Sequence, residues 1–419
     1  MKNIGLRGIT VADTKICYID GERGILVYRG YLVEDLVERA TFPETAYLLL
    51  QGELPSAEEH SQFERELAES RDLPEFVLET LRVYPKNAEP MHVLQASVPM
   101  VAMSDPWLFD DTREGNVRKA IRLIGLIPPL AAAWHRIRSG SEPLPPDPSL
   151  SHAANFLYQL TGKKPDPKVA CDFDACLILH ADHSFNASTF TSRGVASTKA
   201  DIYAGVAAAM GTLSGGLHGG ANERVMRMLL QAASEVDSED DVAQWIRKHL
   251  ERGEKVMGMG HAVYKIMDPR ARILKELSKR LAYETGNEKW YRLLTRIEAE
   301  SLEEFKRREK FDINTNVDFY SGLSYMMIGI PMDLLTVVFS IARVAGWCAH
   351  IIEEKFAEAQ DKPALYRPKA DYIGPGLKLI MRNTGRVRPR RQIAKRARTA
   401  DLNLDFTVNA FLEHRVLYA

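Results

Sequence analysis

Four short polar segments interrupt a chain that otherwise reads as apolar helix. Between them they hold residue types that move protons. The first is His180-Ala-Asp-His183, continuing as Ser184-Phe-Asn186-Ala-Ser188-Thr189. The second is Ser214-Gly-Gly-Leu-His218-Gly-Gly-Ala-Asn222. The third is Gly258-Met-Gly260-His261-Ala-Val-Tyr-Lys265, with Asp268-Pro-Arg270 close behind. The fourth is Asn316-Val-Asp318-Phe-Tyr-Ser-Gly322. Three of them place a histidine beside glycine or at a helix end, and the fourth supplies one carboxylate. No Ser or Cys stands in a G-x-S-x-G setting. That set suits proton transfer at carbon. Asp318 can act as the base, and neutral histidines can donate to oxygens where negative charge develops.

Each segment alone has a plainer reading. His180 and His183 are spaced as metal ligands on a helix, but no HExxH and no matching Cys/His partner accompanies them, so no metal is expected. The glycines around His218 can cradle a phosphate where a helix opens at Asn222, or simply make a tight turn. Gly258-Met-Gly260-His261 follows no strand and is no dinucleotide fingerprint. Asp318, just before an apolar helix, reads by default as its cap.

The elements that must position these residues are helical. Ile16–Ile19 and Ile25–Tyr28 flank a turn rich in Asp and Gly and predict an N-terminal β-hairpin. Beyond residue 30 strand-type alternation nearly vanishes. Pro43 opens a helix through Ala46 and Leu50, and Ser56 with Glu59 forms a capping box. Ser151 and Gly162 bracket another helix. Asp166-Pro167 and Asp268-Pro269 each place a cap before a proline at the first helical position. The spacing predicts further helices over 287–309 and over 331–356, the latter long, apolar and carrying Arg343. The Pro-rich stretch 142–148 reads as a loop between helices. The fold class is therefore all-α with a minor N-terminal β element.

Bulk properties agree. The 419 residues are 45% apolar and 26% charged, with formal net charge -1. That length suggests two domains, and that balance gives no reason to expect a nucleic-acid or membrane partner. Four cysteines without a CxxC pair suit a reducing, cytoplasmic setting. The first residues lack an apolar targeting core, and no uncharged run is long enough to span a bilayer. Residues 382–398 hold eight Arg or Lys and no acid, and read as a solvated tail.

Taken in order, the motifs LHADH…NAST, LHGGAN, GHAVYK…DPR, NVDFYSG and IARVAGW resemble those of the citrate synthase family. The resemblance runs from IDGERGILVYRGY at residue 19 through RPKADYIGP at residue 367 and lies nearest the shorter bacterial type. It implies that fold: a large helical domain from residues 1–218 and 326–419, with a small helical domain, 219–325, inserted. It implies condensation of acetyl-CoA with oxaloacetate and hydrolysis of citryl-CoA to citrate and CoA, with a coenzyme A thioester as substrate and no further cofactor. Propionyl-CoA, giving 2-methylcitrate, is the alternative within the class; a non-catalytic CoA-binding homologue is the alternative outside it. The catalytic roles fall by resemblance on His218 for the acyl enol, His261 for the oxaloacetate ketone and Asp318 for the α-proton. Oxaloacetate binding falls on His183, Arg270 and Arg343, and on Arg367 lent across a homodimer. CoA binding falls on Val256, Gly258, Gly260 and Lys265. Two departures stand out. Gly216 replaces a proline usual before the first catalytic histidine, and about 45 residues follow RPKADYIGP.

Overall fold

In the computed structural model, residues 5–6 and 8–375 are described, so the basic stretch 382–398 lies outside the described residues. The chain divides into two units, Met1–Tyr366 and Arg367–Ala419. Among the described residues, the first unit holds every strand and helix.

Strands β1 (Cys17–Asp20), β2 (Ile25–Tyr28) and β3 (Tyr31–Leu32) form an antiparallel sheet in that order, with Cys17 opposite Tyr28 and Val27 opposite Leu32. The sequence predicts only the first pair. The third strand is added because Arg29 (φ 48°) and Gly30 (φ 95°) fold the chain straight back in a two-residue turn.

The rest of the described chain is helical. Helices α1 (Val33–Arg39), α2 (Phe42–Gln51), α3 (Ala57–Glu69), α4 (Glu75–Val83) and α5 (Pro90–Ala102) lead to the long α6 (Arg113–Arg138). Then come α7 (His152–Thr161), α8 (Pro167–His180), α9 (Ala187–Ala196), α10 (Ile202–Leu213), α11 (Ala221–Glu235), α12 (Val242–Glu251) and α13 (Pro269–Glu284). Finally α14 (Glu288–Arg307), α15 (Asp318–Ile328) and α16 (Leu335–Phe356) close the unit. The starts follow local chemistry. Ser56 and Glu59 make the capping box at α3, Ser151 caps α7, and Asp166 and Asp268 accept the amides of Lys168 and Arg270. Gly162 ends α7 in the left-handed region.

The span expected as one helix from Pro331 begins instead with a single 3-10 turn, Met332–Leu334. Pro331 is extended there, and the tighter turn brings the chain into α16. By length and composition Met332–Phe356 could cross a membrane. It is instead the spine of the molecule: every residue from Leu335 to Lys355 is buried. A helix apolar all round is one that other helices enclose.

Candidate active site

The site is built against one face of α16. That face carries Arg343, Trp347, His350 and Glu354, at the helical spacing that stacks side chains in a row. Arg343 Nε donates to the carbonyl of His180 at 2.7 Å, and Trp347 Nε1 donates to Ser188 Oγ at 3.1 Å. His350 Nε2 sits 3.3 Å from the Asp182 carboxylate. Glu353 and Glu354 each take one nitrogen of the buried Arg193 at 2.7 Å. The helix thus zips down the whole stretch from His180 to Arg193. Gly346 makes the approach possible, since a Cβ there would lie 2.4 Å from the Ala181 carbonyl oxygen.

His183 stands at the apex of that turn. Asp182 is held by Tyr28 Oη of the sheet, which donates to its carbonyl at 2.8 Å, and its carboxylate accepts the Ser184 amide at 2.9 Å. Ser184 takes a left-handed φ of 49°, which swings the chain toward Asn186 at the start of α9. His180 and His183 therefore do not share a helix face. His180 ends α8, with Nδ1 2.8 Å from the Cys176 carbonyl and 3.2 Å from Tyr325 Oη. His183 Nε2 lies 3.3 Å from Tyr264 Oη, and its ring is 5.2 Å from that of His261. Among the described residues no group of three or more His, Cys, Asp or Glu is arranged to hold a metal ion.

His218 follows α10 in a tight glycine-rich turn. Its Nε2 accepts the Ser188 amide at 3.3 Å and lies 2.9 Å from Ser188 Oγ. An amide can only donate, so the ring proton sits on Nδ1.

The segments that carry His261 and Asp318 are laced together. Gly260 N donates to the Asn314 carbonyl at 2.7 Å, and Asn316 N to the Gly258 carbonyl at 2.9 Å. The Asn316 amide group donates to the Gly260 carbonyl at 2.8 Å, while its Oδ1 accepts the Asp318 amide at 3.0 Å. Asn316 thus does the capping work that sequence spacing assigns to Asp318. Asp318 is freed for other use: its Oδ1 is buried without a hydrogen-bond partner. His261 Nδ1 accepts the amides of Val263 (3.0 Å) and Tyr264 (3.2 Å). Its proton is therefore on Nε2.

The electrostatics make the same division of labour. Burial, reinforced by the Arg270 charge, pushes His261 down to about 4. Burial and Arg343 push His218 down to about 4. His183 is driven well below the ordinary histidine range by burial and by Arg270. All three are neutral hydrogen-bonding groups at neutral pH. Burial moves Asp318 the other way, up to about 7, against the pull of Arg270. A carboxylate poised near neutrality with a free oxygen is the pattern of a general base.

Two buried arginines face this group. Arg270 grips Asp268 with Nε at 3.0 Å and Nη2 at 2.7 Å, which holds its charge firmly against the cost of burial. Arg343 leaves Nη2 buried and without a partner. An unpartnered charged group costs more than the ~1–3 kcal/mol of a neutral one, and an anion would relieve that cost.

The remaining sequence-derived candidates are less central. Lys265 is exposed and ion-paired with Asp312 at 3.3 Å. Val256 is packed in the core. Gly258 and Gly260 serve in the backbone lacing of His261 to Asp318. Arg367 opens the second unit, is exposed, and donates to the Pro368 carbonyl at 3.2 Å. Sequence reasoning missed the supports: Ser188 beneath His218, Tyr264 against His183, Asp268 clamping Arg270, and Asn316. All stand inside the four polar segments, but nothing in their spacing shows which distant partner each one meets.

Comparison with known proteins bears on this arrangement. Residues 5–369 match the family model described as citrate synthase, C-terminal domain. The chain is 44% identical to the citrate synthase of Haloferax volcanii over 88% of its length and 95% of that protein's. It is 42% identical to the citrate synthase of Synechocystis over 88% and 90%. It superposes on the crystal structure of citrate synthase from Pyrobaculum aerophilum with a TM-score of 0.83 at 35% identity, covering 91% of this chain and 95% of that one. A TM-score of 0.83 at 31% identity relates it to a ternary complex of carboxymethyl coenzyme A and oxaloacetate with the citrate synthase of Thermoplasma acidophilum, covering 92% and 100%. With the motifs in order, the fold in agreement and relatives matched nearly end to end, the chain belongs to the citrate synthase family.

Proposed function

We propose that the chain condenses acetyl-CoA with oxaloacetate and hydrolyses the resulting citryl-CoA to citrate and CoA. The observation that carries this reading is the pairing of an unpartnered, half-ionised Asp318 with two histidines locked neutral in opposite tautomers. Asp318 takes a proton from the acyl α-carbon. His218, through Nδ1–H, donates to the thioester oxygen as the enolate charge develops. His261, through Nε2–H, polarises the oxaloacetate ketone that the enol carbon attacks. The donors are aimed before the charge appears, which is where such groups gain most. Arg270 and Arg343 supply cations for the two oxaloacetate carboxylates, and His183 borders the same space. The ternary complex of the Thermoplasma relative, with a CoA analogue and oxaloacetate, supports this substrate pair.

We extend this reading to the assembly. Residues 219–325 form a small lobe that closes on a larger one made from both chain ends, shutting out water while the enol forms. Arg367 serves the neighbouring subunit of a homodimer. Lys265, with Gly258, Gly260 and Val256 nearby, faces the CoA. The reaction needs no cofactor beyond the thioester, and the enzyme works in the cytoplasm.

Relatives named citrate synthase favour acetyl-CoA as the substrate of this chain. One methylene discriminates by only ~1–3 kcal/mol, so propionyl-CoA is the comparison that tests the acyl preference. The measurement is release of free CoA thiol with oxaloacetate and either thioester. A higher kcat/KM for acetyl-CoA supports the proposal. A higher value for propionyl-CoA moves the activity to 2-methylcitrate, and no thiol release from either leaves a binding protein.

A further inference from the structure

The turn between β1 and β2 does more than close a hairpin. Asp20 Oδ1 accepts the amides of Glu22 (3.1 Å) and Arg23 (2.9 Å), and Oδ2 accepts Arg23 Nε at 2.6 Å, so the turn is braced from within. It is seated on the loop that follows His261. The Gly21 carbonyl accepts the Lys265 amide at 3.0 Å. A Cβ on Gly21 would lie 2.2 Å from the Val263 carbonyl oxygen, and one on Gly24 would lie 2.9 Å from Ile266 Cδ1.

The loop it touches is the one that sets the tautomer of His261. The Val263 carbonyl and the Tyr264 amide belong to one planar peptide unit. Whatever displaces that carbonyl pivots the Tyr264 N–H away from His261 Nδ1, where it now donates at 3.2 Å beside the Val263 N–H at 3.0 Å. We infer that the Asp20–Gly24 turn is a positioning element of the active site: by fixing the Val263–Lys265 backbone it keeps the Tyr264 amide donor on His261 Nδ1, beside that of Val263, and so helps present the Nε2 proton to substrate. This rests on the reading of His261 as a neutral donor and extends it to a segment near the N-terminus. Glycine is required at position 21 because no side chain fits against the peptide it supports.

The ring responds to more than those amides. His183 (5.2 Å between ring centroids) and Tyr264 (4.8 Å) flank it, and the charges of Arg270 and Asp268 act on it. Tyr264 rides on the backbone that the turn holds, so the titration reports its amide and its ring together, and the tautomer signal singles out the amide. With the Tyr264 donor gone, Nδ1 is more open to a proton and the ring's titration moves upward, while burial and the Arg270 charge go on holding it below its ordinary range.

The test uses the full-length enzyme labelled with 15N-histidine, the His261 signal being assigned by its loss in His261→Gln. Gly21→Ala is expected to broaden or shift the Nε2–H tautomer signal. It should also raise the pH at which the His261 ring itself titrates, read from the same 15N signals, by about one unit or more, and lower kcat about tenfold. Asp20→Ala adds no volume and merely unbraces the turn, so it should move both readouts the same way by less. It remains informative if Gly21→Ala does not fold. An unchanged tautomer signal and an unchanged His261 titration in a folded variant overturn the inference. The catalytic reading of His261 is judged separately, by the turnover of His261→Gln.

Discussion

At the scale of single residues, the site separates acid from base by environment rather than by residue type. Burial lifts Asp318 to about 7 and depresses His218 and His261 to about 4. In the free enzyme kcat/KM for acetyl-CoA should therefore rise with pH through about 7 as Asp318 ionises, while neither histidine titrates above about pH 5. Asp318→Asn should keep oxaloacetate binding and lose ~10²–10⁴ in turnover, because an amide accepts no proton. Exchange of the acetyl-CoA methyl protons measures this step directly, and near-normal exchange would rule out Asp318 as the base. The two histidines should part company by ligand. His218→Gln should slow enolisation by about 10²–10³ and leave oxaloacetate binding intact, whereas His261→Gln should weaken it. Calorimetry with oxaloacetate alone tells them apart, and the opposite pattern would exchange their roles.

At the scale of elements, α16 sets the register of the site, because one of its faces bonds to successive residues of the 180–193 stretch. Gly346 is where that face comes closest. Gly346→Ala would force the Ala181 carbonyl and the Asp182 carboxylate, each 2.4 Å from the new methyl, to retreat. Overpacking of this kind costs about 1–3 kcal/mol. It should also raise the oxaloacetate Kd, since His183 rides on the displaced turn. Urea unfolding and calorimetry read the two effects. Lost stability with unaltered binding would mean that the contact is structural only. Helix starts were legible from Ser, Asp and Pro placement because capping is local chemistry. The role proposed for Asp318 was not legible that way, because position favours a cap and it is Asn316, two residues earlier, whose Oδ1 accepts the Asp318 amide.

At the scale of the whole molecule, buried neutral histidines contribute to the response to acid. His152 is the simplest case: both ring nitrogens are buried without a partner, its ring lies 5.3 Å from that of Phe42, and burial pushes it down to about 3. The unfolded chain takes up a proton there near pH 6.5 and the folded chain does not. Its contribution is thus whole above about 6.5 and is lost as pH falls toward 3. His152→Phe should flatten the pH dependence of unfolding free energy between about pH 6 and 4 by about one proton, or ~1.4 kcal/mol per pH unit. An unchanged slope would mean that the ring finds a partner on protonation. For the proposed homodimer, Arg367→Ala and Asp318→Asn should each be impaired alone. Mixed dimers should regain one intact site if Arg367 serves its neighbour. Subunit exchange with no recovered activity would place Arg367 in its own subunit's site or in neither.

The sequence by itself determined the all-α class, most helix starts, and the polar segments in which the candidate residues stand. It could do so because helical periodicity, capping and motif order are properties of neighbours along the chain. The sequence did not say that Ser188 and the Val263–Tyr264 amides would set opposite tautomers on His218 and His261. Nor did it say that Lys265 would pair with Asp312, or that a hairpin turn near the N-terminus would brace the His261 loop. Those facts depend on which distant backbone groups meet. Only tertiary packing decides that, because a hydrogen bond needs its donor within about 3 Å and spacing along the sequence carries no such information.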